Sequence, residues 1–238
     1  MNRYLASAVA IVTLFAVAGC APPGATSSTP EPSPSGSTVG YEVGSELDPG
    51  TYTSQVFDTP VTFTVPAGWK VFEDVPGWIG LARMENDGPP LLVVRDVDAA
   101  AKSCSEEAEP GVGRTPAQLT TWLSEHEGLA TSEPSQVTVG GLDGTTIDTA
   151  MAPSWTTACP FSEGQPIAMT LVGTDISKTF HWGNDAEWSD RLWVLDLPSV
   201  ENGNIVIVGT ICCGVDRQDQ LDAVQEVVDS FEFDTGET

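Results

Sequence analysis

The chain is 238 residues long and carries 34 Asp and Glu against 9 Lys and Arg, a formal net charge of −25. A surface this acidic repels phosphate backbones and anionic headgroups, which excludes nucleic acid as a partner and argues against resting on anionic lipid. Only two histidines are present, so any Ser-His-Asp arrangement would depend on His126 or His181.

Met1-Asn2-Arg3 carries one positive charge and leads into an apolar run from Leu5 to Ala18. That run suits the h-region of a secretory leader and is too short to span a bilayer comfortably, which takes about 20 residues. It ends at Val17-Ala18-Gly19-Cys20, which resembles the bacterial lipobox. The resemblance implies cleavage before Cys20 and acylation of its sulfur, and hence a lipid anchor holding the protein at the extracytoplasmic face of the cell membrane. Residues 21–40 contain five prolines and almost no apolar side chains. Such a segment cannot offset its ordering entropy and is predicted to be a disordered tether. The predicted organisation is a signal peptide (1–19), a lipidated cysteine with a Pro/Ser/Thr-rich tether (20–45), and a single globular domain (46–238).

Within that domain, period-two alternation dominates. In "VTFTV" (61–65), Val61, Phe63 and Val65 share one face, and Pro66-Ala67-Gly68 ends the run. "WIGLARM" and "PLLVVRDV" read as the next strands. "QVTVGGLDGTTIDTAM" (136–151) offers two strand-like runs around Gly140-Gly141 and Asp143-Gly144, a hairpin signal. "RLWVLDL" and "NIVIVGTI" flank Asn202-Gly203 as a second one. Two helices interrupt the strands. Thr115 is a predicted N-cap with Pro116 at the first helical position and Gln118 closing a capping box. Leu119, Trp122, Leu123 and His126 follow at helical spacing, and Gly128 fits the stop. Leu221, Val224, Val227, Val228 and Phe231 predict a closing helix capped by Asp216 or Asp219. Strands, a helix, more strands and a final helix predict an α+β domain: an antiparallel sheet with helices packed on it.

"ELDPGTYTSQVF", "VTFTVPAGW", the helix, "VTVGGLDGTTID" and "VQEVVDSFEFD", in that order, resemble a family of poorly characterised actinobacterial extracytoplasmic lipoproteins. The order of elements is also similar to the PsbP-like fold of extrinsic photosystem subunits, with its twisted antiparallel sheet between helices. The resemblance implies a small envelope-facing accessory module and transfers no catalytic residue; fold likeness by itself does not carry function.

After Cys20 is set aside, four cysteines remain as disulfide candidates: Cys104, Cys159, Cys212 and Cys213. Pairing Cys104 with Cys159 would force a bond between the neighbours Cys212 and Cys213. The strain of that bond favours tying the Cys212-Cys213 pair to Cys104 and Cys159 instead, in one of two ways. No CxxC or CxxH spacing points to zinc.

Few stretches of the chain match a catalytic or ligand-binding motif. "SEHEGLA" places Ala130 where a second metal-binding histidine would stand, so His126 is expected to cover the end of the helix's apolar face. "GVGRTP" has Pro116 where a dinucleotide fingerprint needs glycine, and no Walker loop, GxSxG or calcium-binding loop occurs. Glu106, Glu107 and Glu109 read as a solvated loop. No catalytic residue, metal or cofactor is assigned. One stretch stands apart: "FHWGNDAEWSDRLW" (180–193) sets Trp182, Trp188 and Trp193 among His181, Asn184, Asp185 and Asp190. Aromatic faces beside short polar groups suit sugar stacking, so Trp182, Trp188, Trp193, His181 and Asp185 are the candidate ligand-binding residues. The competing structural expectation places Trp188 and Trp193 in the core and Trp182 in a loop. The expected activity is non-enzymatic binding of an envelope protein or component. A cell-wall glycan module, a hydrolase assembled from scattered residues and a plain spacer are the alternatives.

Overall fold

The alternating runs form fifteen short strands among the described residues. They are β1 (Glu46–Leu47), β2 (Gly50–Thr53), β3 (Val61–Val65), β4 (Trp69–Val75), β5 (Trp78–Arg83), β6 (Pro90–Arg95), β7 (Val97–Ala99), β8 (Leu129–Thr131), β9 (Ser135–Val139), β10 (Leu142–Met151), β11 (Ala168–Gly173), β12 (His181–Asn184), β13 (Ser189–Leu197), β14 (Gly203–Ile211) and β15 (Glu232–Phe233). Helix α1 (Pro116–Glu125) follows β7, and α2 (Arg217–Val228) follows β14. The computed structural model describes residues 40–84, 90–105, 107–174, 177, 180–212 and 216–236. The predicted leader, Cys20, the tether to residue 39, Glu106 and Cys213 therefore lie outside the described residues. No helix among the described residues is long and apolar enough to cross a membrane.

The large antiparallel sheet runs β1-β4-β5-β6-β14-β13-β10-β8, with β9 paired to β10. Both faces of its centre are covered. On β6, Leu91 and Val93 point to one side and Leu92 and Val94 to the other; on β14, Ile205 and Ile207 oppose Val206 and Val208. Strands buried on both faces read as continuous apolar runs, which is why "PLLVV" and "NIVIV" lack clean alternation. Over the first face lie α2, through Val224, Val227 and Val228, and the small sheet β15-β3-β2, through Val61, Phe63 and Tyr52. Over the second lie α1, through Leu119, Trp122 and Leu123, and part of the small sheet β12-β11-β7. The architecture is thus α+β, helices and minor sheets packed on an antiparallel sheet.

Local chemistry sets the ends of the elements. The Gln118 N–H donates to the Thr115 side chain, the predicted capping box is present, and the C-cap is His126. Asp216 caps α2 by accepting the N–H groups of Gln218 and Asp219. Gly140 and Gly141, both at positive φ, make the β9–β10 turn. Asp143-Gly144 is not part of it: Gly144 sits inside β10, opposite both Val137 and Leu195. A Cβ there would lie 2.1 Å from the Val194 carbonyl oxygen, so glycine is required by the close approach of β13. "PLLVVRDV" also departs from expectation. Asp96 takes a left-handed φ of 55° and splits the run, passing the chain from β6 in the large sheet to β7 in a small one.

The disulfide expectation is corrected. Cys104 bonds Cys159, with Cα atoms 5.5 Å apart across 55 residues. Sheet order is the reason. Strand β7 pairs β11, so the segment leaving β7 and the segment approaching β11 run side by side. Cys212 is itself disulfide-bonded; Cys104 and Cys159 being joined to each other, its partner lies outside the described residues.

Candidate functional site

The part of the second face formed by β4, β5 and the start of β6 carries a row of aromatic rings. A cleft of about 300 Å³ opens there, lined by Phe72, Trp78, Pro90, Leu92, Phe180, His181, Trp182 and Trp188. Each wall has a local cause. Strand alternation puts Phe72 on the face opposite Val71, at the point where the β4–β5 register shifts. Gly80 gives that ring its place, since a Cβ there would come within 2.4 Å of it. Trp78 opens β5 and packs against Phe72 and Phe180, with ring centroids 6.1 and 6.5 Å away. Phe180 and Trp182, two residues apart on one extended strand, share a face. Their rings lie parallel within 2° at 6.1 Å. Trp188 follows at 6.2 Å from Trp182. Five rings therefore form an unbroken series along the cleft.

Trp182 and Trp188 flank the turn that joins β12, in a small sheet, to β13, in the large one. Asp185 Oδ1 accepts the backbone N–H groups of Glu187 and Trp188, which fixes the turn. Behind the rings, Asp190 is 1% exposed. Its Oδ2 accepts the Trp182 indole N–H at 2.8 Å and the Asn184 amide at 2.7 Å, and its Oδ1 accepts the Thr210 hydroxyl at 2.8 Å. Asn184 in turn accepts the Thr149 hydroxyl. Burial pushes the Asp190 carboxyl up to about 6, against the three donors that hold it down. All three are neutral.

The sequence-level candidates separate under this geometry. His181, Trp182 and Trp188 line the cleft. Asp185 serves the turn. Trp193 is 2% exposed and lies in the core beneath α2, so it has no access to a ligand. The reason is the pleat: Trp193 and Leu195 point to the first face of β13, Leu192 and Val194 to the second. Phe72, Trp78, Pro90, Leu92 and Phe180 were not legible as site residues. Four of them come from strands about 100 residues away in sequence, where they read as ordinary strand positions. Asp190 had a signal of a kind, a carboxylate at an inward position of a strand.

His126 closes the end of α1 as expected. It is 3% exposed, its ring contacts Trp122 and Trp155, and its Nδ1 accepts the Gly128 N–H. Burial pushes it below the ordinary histidine range. Two other grooves, of about 410 and 360 Å³, flank the β13–β14 hairpin and α1 and hold one aromatic ring between them, Trp122. Among the described residues no three His, Cys, Asp or Glu side chains converge on a metal-sized site.

Fold and cleft together define the class: an α+β domain presenting an aromatic cleft at one end of its large sheet. Compared with protein-family models and with curated sequences, the chain matches none. Solved structures with a similar arrangement include a protein of Bacteroides thetaiotaomicron VPI-5482, at 13% identity and a TM-score of 0.35, covering 74% of this chain and 46% of that one. This chain thus spans less than half of that protein's length. LpqN of Mycobacterium tuberculosis, described as involved in cell envelope biogenesis, is 12% identical with a TM-score of 0.36, covering 79% and 89%. The cyanobacterial PsbP of Synechocystis sp. PCC 6803 is 16% identical with a TM-score of 0.38, covering 85% and 100%. Likeness at this level carries no inference about ligand or activity.

Proposed function

We propose that the protein is a lipid-anchored, extracytoplasmic binding module that captures an envelope component through the aromatic cleft. The observation that carries this reading is the series of five rings, three of them half-buried tryptophans, left open beside a sheet centre that is covered on both faces. Large aromatic side chains in a concave site on rigid strands are the usual anchors of recognition. The lipobox-like Cys20 and the Cys104–Cys159 disulfide support an oxidising, membrane-proximal location.

The cleft's chemistry favours binding over hydrolysis. Asp190 is the carboxylate beside it with a raised pKa, but it lies behind Trp182 with its oxygens occupied by three donors. It cannot reach an occupant. The lining also suits an apolar or aromatic-binding group better than a glycan. Sugar hydroxyls need polar partners beside the ring, and here Trp182's N–H, Asn184 and Asp185 are committed to Asp190, Thr149 and the turn.

Cross-linking in cells that make the protein, followed by mass spectrometry, tests the reading. The native chain is expected to capture a reproducible envelope component. Trp188→Ala, which removes a ring whose described side-chain contact is to Trp182, is expected to reduce that capture roughly tenfold. Undiminished capture by a folded Trp188→Ala variant would overturn the cleft as the binding surface.

A further inference from the structure

Resting on the reading of the cleft as a binding site, we infer that its occupant carries a quaternary ammonium group, a trimethylammonium head such as that of choline. Three observations converge on this chemistry. First, among the described residues the walls are five aromatic rings with Pro90 and Leu92, and His181 is the one titratable group in the lining. A quaternary ammonium has no N–H to satisfy and presents a shell of methyl groups, so such walls leave none of its groups unmet. A primary ammonium would bury unpaired donors against the same walls.

Second, the faces of indole and phenyl rings attract cations, tryptophan most strongly, and clustered rings are the known way to hold a methylated ammonium. Trp182 is further disposed to this. Its N–H donates to the Asp190 carboxylate, which sends electron density back into the ring.

Third, among the described residues the Asp190 carboxylate has no cationic partner. Asp190 is buried behind Trp182, its side-chain partners are the neutral Trp182, Asn184 and Thr210, and among the described residues no Lys or Arg pairs with it. Asp185 and Glu187 add negative charge on the turn between β12 and β13, within a chain of net charge −25. A cation seated on Trp182 supplies a counter-charge one ring away. A neutral occupant does not.

Titration calorimetry on the full chain, in an uncharged detergent free of choline, separates these possibilities. The paired probes are choline and 3,3-dimethylbutan-1-ol, which has the same shape with carbon in place of the charged nitrogen. Choline is expected to bind about tenfold more tightly than its neutral counterpart. Trp188→Ala should weaken both. Asp190→Asn keeps an oxygen to accept from Trp182 and Asn184 but removes the charge, so it should weaken choline severalfold and leave the alcohol unchanged. Adding phosphatidylcholine or phosphatidylglycerol vesicles assigns the source. Preference for phosphatidylcholine over phosphatidylglycerol vesicles points to a lipid headgroup, and binding of choline with no preference between the vesicles points to a small free quaternary ammonium compound. Equal affinity for choline and the alcohol overturns the ammonium inference and leaves the cleft standing as an apolar site. Binding of neither overturns it as well, and the cross-linking result then decides separately whether the cleft binds anything.

Discussion

Replacing Cys104 and Cys159 together by alanine is expected to cost about 4 kcal/mol of folding stability, the loop-closure entropy of a 55-residue separation. The bond joins two segments with little regular structure of their own, each closed by one isolated bridge, Ala100 to Ala108 and Ala158 to Pro166. It also sits over a small apolar cluster of Ala100, Cys159, Met169 and Val172. Strand β7 is three residues long and contributes only Leu171↔Ala99, Val172↔Asp98 and Gly173↔Val97 to its sheet. Losing the tie should therefore loosen β11 and, through it, β12, which carries Trp182. Urea unfolding of the native chain, with and without reductant, beside the double variant checks this. Coincident midpoints for the oxidised native chain and the variant would show that the sheet holds these segments unaided.

Asp190 gives the second large effect, and its sign depends on the replacement. Asp190→Ala strands three buried donors, from Trp182, Asn184 and Thr210, and should cost about 3 kcal/mol. Asp190→Asn retains acceptors for the first two and should be stabilising near neutral pH. The folded carboxyl titrates at about 6 against an ordinary 3.8, so the folded protein holds a proton that the unfolded chain has already released. Stability from this group is therefore full below about pH 4 and declines as pH rises to 6, by about 3 kcal/mol in all. The gap between Asp190→Asn and the native chain should open across that window and stay level above it. A gap that is constant from pH 4 to 7 would contradict a buried, uncompensated carboxylate.

Both effects rest on features that the sequence only half reveals. The helices were legible to within a residue or two because their caps are local chemistry: Thr115-Pro116 with Gln118, and Asp216 ahead of α2. The hairpins at Gly140-Gly141 and Asn202 were legible for the same reason, since both need positive φ. What depends on sheet order was not. The disulfide follows from β7 lying beside β11, a neighbour relation that no cysteine spacing encodes. The three tryptophans of 180–193 divide according to which face of β13 lies under α2 and which stretch of chain packs over the β4-β5-β6 part of the second face. Period two assigns a residue to a face, but it does not say what covers that face. Phe72 and Trp78 join the cleft only because Phe180 and Trp182, next to and on a strand of a different sheet, pack over the β4-β5-β6 part of the large sheet's second face.

Oxidative labelling of tryptophan in living cells, compared with the purified chain, tests most directly whether the cleft is occupied where the protein works. Trp155, half-buried against His126 and away from the cleft, serves as the control, and buried Trp193 should stay unlabelled in both samples. Labelling of Trp78, Trp182 and Trp188 in the purified chain, with protection of all three in cells and none of Trp155, is the result expected. Equal labelling of the three in cells and in isolation would mean that the aromatic cleft is empty in its own setting, and would contradict a binding role for it.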